Sequence, residues 1–186
     1  MKLDEAGRSR MKPTDPGEPQ ALLVCGLLSA DSGLIKDIGH DLEEHFGKTA
    51  MRSEKTPFTW TDYYNAEMGE GLLRRWVVFS TPINLLESWQ HKLLSCEIED
   101  TLKVNGKRRI NIDPGFIRLD GLWLLTTKSA GHRAYVDKGI WIELTLRFLR
   151  DRCEELAWTY PDHRDPASQA FFLRARARLK KELLHV

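Results

Sequence analysis

The chain lacks the features that would place it in several large classes at once. No apolar run approaches the roughly 20 residues of a membrane-crossing helix, and residues 1–20 contain no apolar core of a signal peptide. An excess of one charge is missing too: Lys+Arg number 28 against Asp+Glu 27, a formal net charge of +1 over 186 residues. That balance argues against the broad electrostatic attraction behind non-specific binding to DNA or an acidic membrane. Cysteine is scarce, and Cys25, Cys96 and Cys153 stand far apart with no CxxC pair. A disulfide framework is therefore not expected, and a reducing, cytoplasmic setting without membrane association is. Thr126-Thr127-Lys128-Ser129 has the wrong surroundings for a Walker A loop, since no glycine precedes Lys128 and the upstream glycine is absent. No internal repeat or low-complexity segment occurs.

What is present suffices for one core without disulfides or a structural metal. Residues 1–19 carry Pro13, Pro16, Pro19, Gly7 and Gly17 among alternating charges and read as a disordered leader. Residues 20–186 read as a single α+β domain. Ala21–Leu28 is a continuous apolar run, the pattern of a strand buried on both faces. Ser29-Ala30-Asp31-Ser32 supplies a helix cap, Leu34, Ile38, Leu42 and Phe46 recur at helical spacing, and Gly47 ends that helix. A second strand is expected around residues 50–59 and a third at Leu72–Ser80. Thr81-Pro82 reads as the start of a helix carrying Leu86, Trp89 and Leu93. Lys107–Ile112 reads as a fourth strand closed by a turn at Asp113-Pro114-Gly115.

The order βαββαβ is that of a ferredoxin-like core, with an antiparallel sheet in the spatial order 4-1-3-2 and both helices on one face. Three further strand-like runs, Phe116–Lys128, His132–Val136 and Gly139–Arg150, are expected to extend the sheet as a β-meander. Asp165-Pro166 opens a final helix with the stripe Ala167, Phe171, Ala175, Leu179 and Leu183.

Thr61–Gly71 stands out from these elements, because it places three acids, two phenols and two glycines in one short connection. The expected topology brings it to the same end of the sheet as Ser29–Ser32, the basic turn 105–109 and the turn 128–133. Asp31, Asp62, Tyr63, Tyr64 and Glu67 would then meet Arg108, Lys128, His132 and Arg133. Glu143, an acid inside an apolar strand, needs a partner, and Lys128 or Arg133 can supply it.

Such a mixed-charge pocket suits an anionic small molecule, above all a nucleotide, with the phenols available for stacking and the cations for phosphate. Asp62 and Glu67 are the candidate ligands of a hydrated Mg²⁺. His132 is the candidate acid or base if the site hydrolyses a phosphoester. The alternative is a non-catalytic module that binds protein or RNA through Arg174, Arg176, Arg178, Lys180 and Lys181 on the last helix.

Several motifs in order, Phe58-Thr59, Thr61-Asp62-Tyr63-Tyr64, Glu67-Met68-Gly69-Glu70-Gly71, Arg109–Gly115, Thr126-Thr127-Lys128, His132-Arg133 and Trp158–Asp162, carry a resemblance. From about residue 20 onward the chain resembles the bacterial family catalogued as domain of unknown function 4416, some members of which are labelled GTP-binding. The resemblance implies family membership without a demonstrated chemistry. One departure is Cys96, which stands where similar proteins carry an amide; the change removes hydrogen-bonding capacity from the second helix.

Overall fold

The computed structural model describes residues 21–184. The leader expected at 1–19 lies outside the described residues. The strands are β1 (Leu22–Ser29), β2 (Thr49–Arg52), β3 (Thr56–Pro57), β4 (Leu73–Pro82), β5 (Asn111–Ile117), β6 (Gly121–Thr126), β7 (Ala134–Asp137), β8 (Ile140–Phe148) and β9 (Cys153–Glu155), and the helices α1 (Ser32–Phe46), α2 (Asn65–Met68), α3 (Trp89–Thr101), α4 (Pro161–Arg164) and α5 (Pro166–Leu184). The fold is mixed α+β, built on one nine-stranded sheet whose path runs β2-β4-β1-β5-β6-β8-β7, with β3 also on β4 and β9 also on β8. Every pairing in it is antiparallel.

β1 (Leu22–Ser29) lies mid-sheet with all eight residues buried, which is why its sequence is a continuous apolar run. Leu23, Cys25 and Leu27 face α1 (Ser32–Phe46) through Ile35, Ile38, Leu42 and Phe46, and α3 (Trp89–Thr101) adds Leu94 and Ile98 to that layer. Leu22 and Val24 face the other way, onto Phe171, Phe172, Ala175 and Leu179 of α5 (Pro166–Leu184). Helices thus cover both faces. No helix among the described residues is long and apolar enough to cross a membrane.

Local signals explain the helix ends. Asp31 Oδ1 accepts the N–H groups of Gly33 and Leu34, both at 2.9 Å, a cap worth about 1 kcal/mol, and Gly47 turns the chain out of α1 at φ +83°.

The expected second strand is two short ones, β2 (Thr49–Arg52) and β3 (Thr56–Pro57), both paired with β4 (Leu73–Pro82). Two expectations from turn chemistry fail. Thr81-Pro82 does not start a helix; it ends β4, where Pro82 pairs with Leu22, and the chain passes through a 3₁₀ turn at Leu85–Glu87 before α3 begins at Trp89. Asp113-Pro114-Gly115 is not a turn either, but lies inside β5 (Asn111–Ile117) opposite Gly26, Cys25 and Val24. Pairing of β5 with β6 (Gly121–Thr126) covers only Gly115–Ile117, so Pro114 sits where β5 has a free edge and its missing N–H breaks no rung there.

The C-terminal runs extend the sheet, though not as a simple meander. β7 (Ala134–Asp137) and β8 (Ile140–Phe148) form a hairpin, but β8 lies between β6 and β7, and β9 (Cys153–Glu155) joins the far end of β8. Segment 127–133 must therefore step across β8 to reach its far side. That crossing sets up much of the candidate site.

Candidate functional site

The two phenols of the 61–71 loop divide their roles. Tyr64 packs with Phe58 against Leu28, Met68 and Leu72 and so ties the loop to the sheet. Burial, then the Asp113 carboxylate, push its phenol up to about 12 and keep it neutral. Tyr63 meets Tyr64 edge-on at 5.0 Å but is itself 66% exposed, with its ring 5.1 Å from Lys128 Nζ. Asp62 lies just before the short helix α2 (Asn65–Met68) and accepts a hydrogen bond from Asn65 Nδ2 at 3.1 Å.

Glu67 turns toward Arg108, whose Nε and Nη2 reach its two oxygens at 2.9 and 2.7 Å. The same guanidinium reaches Glu99 at 3.3 Å and Asn111 Oδ1 at 2.9 Å. The Arg108 fork holds the Glu67 carboxyl below its ordinary range. Asp31 pairs with Arg109 at 2.8 Å, and Ser29, Asp31, Glu67, Lys107, Arg108 and Arg109 line a cleft of about 140 Å³. The helix start, the loop and the basic turn therefore meet at one end of the sheet.

Across the rim, Glu143 is buried in β8 directly under the crossing segment. Its Oε2 receives Arg133 Nε at 2.7 Å and lies 2.9 Å from His132 Nε2. Arg133 also donates to the Lys128 carbonyl at 2.9 Å and to the Tyr160 hydroxyl at 2.8 Å, while His132 stacks on Trp158 with ring centres 4.8 Å apart. Glu143 thus finds its partner in Arg133, not Lys128. Burial and then Glu143 push the Tyr160 phenol up, so it stays protonated.

Beneath both clusters runs a chain of contacts that joins residues distant in sequence. Asn111 Nδ2 donates to Asp113 Oδ2 at 2.6 Å. Arg74 lies 3.4 Å from that oxygen and 3.0 Å from Asp162 Oδ2, with its guanidinium over Phe58 and Trp76 at 5.2 and 5.0 Å. Asp162 Oδ1 lies 2.9 Å from His163 Nδ1, and the His163 ring packs near Tyr160. From the opposite side of the sheet, Lys92 of α3 reaches the Ile112 carbonyl at 3.0 Å and Asp113 Oδ1 at 3.8 Å.

Burial opposes ionisation of Asp113 and Asp162, but Lys92 and Arg74 outweigh it at the first, and Arg74 and His163 at the second, so both carboxyls sit below their ordinary range. Gly26 is what allows Arg74 to lie there, since a Cβ on it would stand 2.9 Å from Arg74 Nη1 and 2.6 Å from the Trp76 ring. The sequence signal for Arg74 is its phase: it alternates with Trp76 and Val78 on the inward face of β4.

Glu67, Arg108, Asn111, Asp113, Arg74, Asp162 and His163 thus form one connected line, with Tyr160 leading on to Arg133, Glu143 and His132. Among the described contacts, none joins Asp31 or Asp62 directly to Lys128, His132 or Arg133. No three His, Cys, Asp or Glu side chains gather as a metal-ion set among the described residues, and Asp62 and Glu67 are each engaged elsewhere. Of the basic residues on α5, Arg176 is committed to the Leu119, Leu149 and Arg150 carbonyls and Arg178 to Glu182 at 2.9 Å, whereas Arg174, Lys180 and Lys181 are exposed.

Residues 19–179 match the model of the family described as Domain of unknown function (DUF4416). The chain belongs to that family. The motifs that carry the DUF4416 resemblance converge in space: Phe58, Tyr64, Glu67, Asn111, Asp113, Lys128, His132, Arg133, Tyr160 and Asp162 all belong to the site. No curated protein and no solved structure matches this DUF4416 chain.

Proposed function

We propose that this rim binds a small molecule that couples an anionic group to a planar ring, with a nucleotide as the class that fits best. The observation that carries the reading is Lys128. Among the described residues it makes no ion pair, while Arg74, Arg108, Arg109 and Arg133 each hold a carboxylate. Its ammonium lies over the exposed Tyr63 ring, so a cation for phosphate and a π-face for a base stand side by side. Trp158 and Tyr160, both partly exposed, add aromatic surface around His132 and Arg133. The paired arginines beneath act as scaffold, holding the crossing segment in place.

The order β2-β4-β1-β5, which read from β5 is fourth-first-third-second, supports a ferredoxin-like description of the first half, with α1 and α3 on one face. The three free cysteines agree with a reducing, cytoplasmic setting. A thermal-shift screen against nucleoside mono-, di- and triphosphates, with and without Mg²⁺, tests the binding reading. A ligand at about 100 times its Kd adds roughly 2.7 kcal/mol of stability, whereas an absence of shift across the panel at millimolar ligand refutes it.

A further inference from the structure

A second cleft, of about 350 Å³, lies on the opposite face of the sheet, between α1 and the β2–β4 edge. It is lined by Lys36, His40, Arg52, Lys55 and Arg75 around Gly39, with Ile35 and Val77 as its apolar floor. Arg75 pairs with Leu27 in the α1-facing layer, whereas its neighbour Arg74 points into the network under the rim, so the two sites use opposite faces of β4.

Most of the cations in this cleft are uncompensated. Arg52 is taken up by Glu43 at 2.7 Å. Among the described residues Lys36, Lys55 and Arg75 make no ion pair. Lys55 is held in place by the Ser32 hydroxyl and carbonyl, and Arg75 by Nε donation to the Ser53 carbonyl at 3.0 Å, which leaves the terminal nitrogens of Arg75 for a ligand. Lys36 and His40 stand one turn apart on the same face of α1. Gly39 borders open space, where an added Cβ would meet only Arg52 Nε at 3.9 Å. Cations crowded into a concave site repel one another, and a multivalent anion relieves that repulsion while accepting charge-assisted hydrogen bonds from several sides.

The geometry points to a binding site for a diphosphate group, with Lys36, Lys55 and Arg75 as its donors and His40 at its edge. A diphosphate spans several donors where a single phosphate reaches fewer. The site stands independently of the rim and of what binds there.

Calorimetric titration of the full chain with pyrophosphate, orthophosphate and a nucleoside diphosphate tests it. Pyrophosphate is expected to bind more tightly than orthophosphate, and the double variant Lys36→Gln/Arg75→Gln to weaken it by about tenfold or more. Lys36→Gln alone, an exposed helix substitution that leaves folding intact, is expected to give part of that loss. Lys138→Gln, at an exposed turn position that lines neither cleft, is expected to leave pyrophosphate binding unchanged. If the nucleoside diphosphate binds with the same dependence on Lys36 and Arg75, the cleft takes the group as part of a nucleotide; if only pyrophosphate does, the free anion is its ligand. No heat with millimolar pyrophosphate, an undiminished affinity in the double variant, or a loss in Lys138→Gln matching that of the double variant would overturn the assignment.

Discussion

Arg133 Nε lies 2.7 Å from Glu143 Oε2, with the two side chains 10% and 1% exposed. A pair this deep contributes little net stability but is costly to break from one side. Glu143→Ala is expected to lower unfolding free energy by about 3–5 kcal/mol in urea denaturation, because it leaves the guanidinium buried without its counter-charge. The paired change Arg133→Met/Glu143→Leu is expected to recover most of that loss. It also removes the bonds to Tyr160 and the Lys128 carbonyl, so rim binding is expected to stay lost although stability returns.

Asp162 gives the fold an acid-sensitive element. Burial disfavours its charge, but Arg74 and His163 overcome this and leave its folded-state pKa below the ordinary value. The unfolded chain then takes up the proton first, near pH 3.9. The stabilisation is fully present above that pH and drains away as the pH falls through the folded value. Asp162→Asn is expected to cost about 3 kcal/mol at neutral pH and to flatten the acid limb of the stability curve, as read by denaturation at a series of pH values.

Gly26 is required by close approach, not by an unusual backbone angle. Gly26→Ala is expected to push Trp76 or Arg74 aside and to destabilise by about 1–3 kcal/mol in thermal melts. If the melt is unchanged, Arg74 does not rest on that spot.

Elements with one dominant local signal are legible in the sequence. The continuous apolar run of β1, the Asp31 cap and Gly47 end of α1, and the Asp165-Pro166 start of α5 all follow from propensity and periodicity. Where tertiary pairing competes with turn chemistry, the pairing wins. Asp113-Pro114-Gly115 has the composition of a turn, yet β1 pairs along all three residues, and β6 pairs only from Gly115 onward, so Pro114 has a free edge and the tripeptide is strand. The site is legible in the same uneven way. Loop 61–71 and His132-Arg133 announce themselves by composition, whereas Arg74, Asp113 and Asp162 lie far apart in sequence and acquire meaning only when β4, β5 and the approach to α5 meet. The acid inside an apolar strand, Glu143, was the clue that pointed across the sheet, since a buried charge demands a partner.

The rim reading rests on Lys128 more than on any other residue. It is exposed and carries no load in the fold, so Lys128→Gln is expected to change stability by no more than about 0.5 kcal/mol. Titration of the best nucleotide from the thermal screen into wild type and Lys128→Gln is the most direct measurement. About a tenfold or greater loss of affinity in the variant, at unchanged melting temperature, is the result predicted. Equal affinity in the two proteins would contradict it.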